Sequence, residues 1–132
     1  MTESEAYVEV AERALNAAKG ALEKGIHEKA GFLGYHAFES TGGAFCSSRG
    51  IPVPRSHKAK ITTFVAAARN ERSGRTIAKL AIAYGSLRNP LLYPKPLQNG
   101  TMQRPQEFIT PAQTTRLLGR TKALLEDIKP GI

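Results

Sequence analysis

Apolar residues recur at helical spacing along almost the whole of this chain, and nowhere do β-branched residues alternate over a strand-length run. A chain that can bury itself only along helical stripes must pack helix on helix. The first stripe runs from about Ser4 to Lys24, with Tyr7, Val10, Ala11, Ala14, Ala18, Ala21 and Leu22 directed inward and Gly25 as its stop. The second, about His27 to Ser48, is apolar nearly all round and so belongs at the centre. Gly31, Gly34, Gly42 and Gly43 each cost this helix about 1 kcal/mol, which makes sense where another helix, of this chain or of a second copy, comes close.

Ser56 caps a third helix to about Asn70, with Ile61, Phe64, Val65 and Ala68 inward. A fourth runs from about Arg75 to Arg88, where Pro90 forces an end or a kink. Four prolines and Gly100 make Pro90 to Pro105 the long loop of the molecule. Thr110 and Pro111 open the last helix, which closes near Lys129 and Pro130. With neither internal repeats nor a second domain in view, residues 1–132 are expected to form one all-α domain. Its architecture should be an antiparallel up-and-down bundle of about five helices.

The formal charge of +8 is unevenly spread: residues 49–104 hold eleven Lys/Arg against a single acid, Glu71. Such a concentration points to a phosphate-bearing partner, nucleic acid or nucleotide before membrane, against the plainer reading of a solvated basic face. No apolar run is long enough to span a bilayer, and the acidic N-terminus does not resemble a signal peptide. Cys46, the one cysteine, sits among apolar neighbours and reads as core in a reducing, cytoplasmic setting. No His or Cys pair has ligand spacing, so neither metal nor cofactor is expected.

Two charges stand on apolar stripes. Arg88 shares an arc with Ile77, Leu80, Ala81 and Tyr84, and Glu39 shares one with Phe32, Tyr35, His36, Gly43 and Cys46. A charge on a packing face needs a partner. Glu39 and Arg88 are therefore expected to meet, directly or across a small polar pocket with His36 and Tyr84. Such a pair either fixes helix register or aims the arginine at a phosphate. His27 reads as an exposed helix-start residue without a partner, and His57 as a helix-end residue. Tyr93 either stacks on a base or anchors the proline-rich loop.

Three stretches, "GYHAFEST", "GIPVPRSHKAKITTF" and "LRNPLLYP", together resemble the HEPN domain in the same order, over roughly residues 5–129. The resemblance implies a compact helical bundle, usually a homodimer. Many members are metal-independent ribonucleases of toxin or defence systems; others bind RNA or nucleotides, often beside a nucleotidyltransferase partner. The family's motif is an arginine, commonly followed by a polar residue, then a histidine after four to six intervening residues. Arg88 and Asn89 match its start, but Tyr93 stands about where the histidine belongs. A phenol, with an ordinary pKa of about 10, is a poor acid–base group at neutral pH.

The candidate site is thus Arg88, Asn89, Tyr93 and Glu39, with His36, His57, Tyr84, Arg55 and Lys58 as contacts for substrate. RNA or nucleotide binding with weak or absent nuclease activity is the leading expectation. The alternatives are a working ribonuclease that uses Tyr93 or a histidine outside the motif, and a non-catalytic interaction module of a toxin–antitoxin pair.

Overall fold

A computed structural model describes all 132 residues. Helix α1 spans Glu3–Glu23, entered through a reciprocal cap in which Thr2 accepts from the Glu5 amide and Glu5 accepts from the Thr2 amide. Gly25, at φ +76°, turns the chain into α2, His27–Ser48, and Gly50, at φ +70°, turns it out again. Ser56 caps α3, His57–Ala67, by accepting from the Ala59 amide at 3.1 Å. Helix α4 spans Gly74–Gly85, and Gly74 is required there because a Cβ would lie 2.5 Å from the Ala68 carbonyl oxygen.

The stretch that reads as one long loop is built of small pieces. A one-turn α5, Arg88–Leu92, is followed by β1, Lys95–Pro96, paired antiparallel with β2, Met102–Gln103. A second one-turn helix, α6, covers Pro105–Phe108. The last long helix, α7, spans Pro111–Ile128 behind a Thr110–Gln113 capping box and ends in a 3-10 turn, Lys129–Gly131. The five long helices form the all-α bundle that the periodicity predicts.

Helix α2 lies at the centre and touches α1, α3, α5, α6 and α7. Its glycines admit side chains of this same chain. A Cβ at Gly42 would meet the Phe64 ring at 2.6 Å, one at Gly43 the Tyr7 ring at 2.8 Å, and one at Gly34 both Leu118 and the Tyr84 hydroxyl at 2.8 Å. Its own Phe38 and Phe45, with Phe64, Ile77, Leu80, Tyr84 and Leu91 from the other helices, close the core. Cys46 is buried among them.

Two expected details shift. On α1 the buried line is Ser4, Val8, Ala11, Ala14 and Ala18, whereas Val10 is 40% exposed. A seam of small residues lets α1 approach α2 closely, and the larger Val10 turns outward. At the other end α4 stops at Gly85, so Arg88 opens a new helix instead of continuing the α4 stripe. Pro90 then falls in the first turn of α5, where a missing N–H costs nothing. No helix is long and apolar enough to cross a membrane.

Candidate functional site

The Glu39 carboxylate, only 5% exposed on α2, is held by the first turn of α3. His57, the first residue of that helix, donates from Nδ1 to Glu39 Oε2 at 2.8 Å. Lys60, three residues on and therefore on the same face, brings Nζ to 3.5 Å from Oε1. Both oxygens are thus occupied by α3, and no acid lies within salt-bridge distance of Arg88. The direct Glu39–Arg88 pair expected from the two stripes does not form. The Ser56 cap, which sets where α3 begins, decides the carboxylate's partners.

Tyr35, one helical turn before Glu39, connects the two charges. Burial raises its phenol pKa strongly, the charge and hydrogen bond of Glu39 raise it further, and the charge of Arg88 pulls the other way. The hydroxyl therefore stays protonated, with the Glu39 carboxylate and the Arg88 guanidinium both within electrostatic reach. Its ring also packs against His57, at a centroid distance of 6.4 Å.

Arg88 is half-buried and nearly unpartnered. Its Nη1 donates weakly to Asn89 Oδ1 at 3.4 Å, while Nε is buried with no hydrogen-bond partner. A buried guanidinium donor left unsatisfied is costly, and the outer Nη groups, which have no acidic partner, are the donors open to an anion. The Nδ1–H of His57 is committed to Glu39, so in the neutral ring Nε2 carries the lone pair. That side chain is 49% exposed. Glu39 is more than balanced by Lys60 and Arg88, so the cluster carries surplus positive charge. Arg55 and Lys58, both exposed and without an acidic partner, flank His57 and extend it.

The remaining candidates divide. Asn89 is exposed beside Arg88. Tyr93 is 62% exposed in extended backbone at the end of α5, its amide donating to the Asn89 carbonyl. Tyr84 is no ligand contact: it is fully buried, and its hydroxyl lies 2.7 Å from Thr121 Oγ1. Burial pushes its pKa up to about 12. His36 also leaves the group, lining a shallow groove between α1 and α2 with Val10, Arg13 and Leu33. His27, read as unpartnered, donates from Nε2 to the Gln106 and Ile109 carbonyls at 2.9 and 2.8 Å. It fastens the start of α2 to α6.

Tyr35 and Lys60 are the members that sequence reasoning leaves out. Each had a signal: Tyr35 lies four residues before Glu39, and Lys60 three after His57.

Compared with models of known protein families and with curated proteins, the chain matches none. Among solved structures it resembles the crystal structure of an archaeal HEPN homologue, with a TM-score of 0.72 and 23% identity over 98% of both chains. At that identity the likeness establishes the fold: the chain has the HEPN-type helical bundle.

Proposed function

We propose that this HEPN-like bundle binds RNA or a nucleotide by its phosphate at Arg88, with the basic 49–104 segment supplying further contacts. The observation that carries the reading is a half-buried guanidinium without an acidic partner, its outer donors accessible, while the carboxylate expected to pair with it is engaged by His57 and Lys60. Binding of a short single-stranded RNA, followed by fluorescence anisotropy across a salt series, tests it. Arg88→Ala should weaken binding about tenfold and flatten the salt dependence by roughly one phosphate contact. Binding insensitive to both salt and Arg88 would sink the proposal and leave the protein-interaction reading.

One observation favours a second reading, metal-independent cleavage. With Tyr93 near the place of the motif histidine, His57 supplies an imidazole whose orientation Glu39 holds. In that reaction Nε2 takes the proton of a ribose 2′-hydroxyl, and O2′ attacks phosphorus. The P–O5′ bond breaks, water protonates the departing 5′ oxygen, and a 2′,3′-cyclic phosphate remains. Arg88 stabilises the charge that builds on the phosphoryl oxygens. Cleavage in excess chelator that falls at least a hundredfold in His57→Gln, with RNA binding retained, supports it. Activity equal in parent and variant removes His57 from the chemistry.

A further inference from the structure

A groove of about 270 Å³ opens between the end of α4, the end of α6 and one face of α7, with Leu87, the residue before Arg88, in its lining. Its floor is apolar: Leu87 and Ile109 are buried there, and Phe108 and Leu117 stand half-buried beside them. One wall is polar and cationic. Gln113, Arg116 and Arg120 follow at intervals of three and four residues along α7, so they line one face of the helix. Neither arginine has an acid within salt-bridge distance, and the groove's lining contains no carboxylate. The amide of Gln113 is oriented by its cap: Oε1 accepts from the Thr110 amide at 2.9 Å, which leaves the NH₂ group unpaired.

A slot that combines apolar surface, one free amide donor and two free guanidinium groups suits a planar heterocycle joined to phosphate. The ring covers the floor and wall, the Gln113 amide donates to an acceptor on its edge, and Arg116 and Arg120 meet flanking phosphates. We infer that this groove, whose floor residue Leu87 precedes Arg88 in the chain, takes the unpaired base of a nucleotide, free or within single-stranded RNA. The inference rests on the phosphate reading of Arg88 and adds the requirement for an exposed base.

Anisotropy with labelled single-stranded RNA and with an abasic ribose-phosphate chain of equal length separates base from phosphate. The parent protein should bind the RNA roughly ten- to a hundredfold more tightly than the abasic chain. Ala83→Phe, which places a ring in the groove from its α4 wall, should abolish that difference and leave abasic binding unchanged. Arg116→Gln with Arg120→Gln should weaken both ligands and lower the salt slope by about one to two. Displacement of the RNA by adenosine monophosphate, but not by ribose 5-phosphate, identifies a free nucleotide as a sufficient occupant. No displacement by either, with base-dependent RNA binding intact, identifies the nucleotide within a strand; both outcomes support a base slot. Equal binding of RNA and abasic chain, or a base preference that survives Ala83→Phe, overturns the inference while leaving the Arg88 reading standing. Abasic binding unaffected by Arg88→Ala overturns the Arg88 reading itself.

Discussion

Glu39 shows how little a side chain's identity says about its partner. Its carboxylate is bonded to His57 and lies close to Lys60, so a double-mutant cycle between Glu39 and His57 should return coupling of about 1 kcal/mol, kept low by the half-exposed imidazole. The same cycle between Glu39 and Arg88 should be close to additive, and strong coupling there would mean that the two groups meet after all. Tyr84 carries the alkaline limit of stability. Its phenol sits at about 12 in the fold against about 10 when unfolded. Its contribution is complete below pH 10 and is lost as pH rises through about 12, because only the unfolded chain releases the proton in between. Up to about 3 kcal/mol is involved, and Tyr35, raised likewise, acts in the same direction. Tyr84→Phe should cost roughly 1 kcal/mol at pH 7, since Thr121 keeps its bond to the Leu117 carbonyl. Urea melts at pH 8 and pH 11 should then show a smaller alkaline loss in the variant than in the parent; an equal loss would assign the effect elsewhere.

At the scale of elements, glycines separate into those the packing needs and those it does not. At Gly42 a Cβ would lie 2.6 Å from the Phe64 ring, so Gly42→Ala forces α3 away from α2 and should cost about 1–3 kcal/mol despite the better helix former. At Gly119, inside α7, nothing lies within 4 Å of the same position. Gly119→Ala should stabilise by about 0.5–1 kcal/mol. Thermal melts of the two variants should therefore move in opposite directions, and a shared direction would mean that the interhelical fit is looser than described. His27 serves the connection between elements. Its ring holds the α6 backbone at two carbonyls, and His27→Ala should raise hydrogen-exchange rates across 105–110 more than across α3.

Across the whole molecule, the fold separates two roles that the chain interleaves. The aromatic centre of α2, α3 and α4 supplies stability, and the cations of 49–104 and α7 remain largely free of acidic partners. A homodimer is what the resemblance implies, and we propose that any two-fold interface lies away from the α2 glycines, because Tyr7, Phe64, Tyr84, Leu91 and Leu118 of the same chain already cover them. Gly42→Ala should accordingly change stability and leave the sedimentation coefficient unaltered; a change in association state would return α2 to the interface.

The helical period, the caps at Thr110 and Ser56, the glycine stops and the central place of α2 were legible in the chain alone. They depend on contacts a few residues apart, and an all-round apolar helix has no other place to go. The charged pair was not legible. Periodicity places Glu39 and Arg88 on packing faces, but it does not say which face meets which. The three-dimensional packing put α3 over Glu39, took Arg88 off the α4 stripe through a break at Ser86 and Leu87, and buried Tyr84 against Thr121. Partners separated by 18 or 37 residues are chosen by how helices dock, and docking is settled by side-chain volume over the whole core.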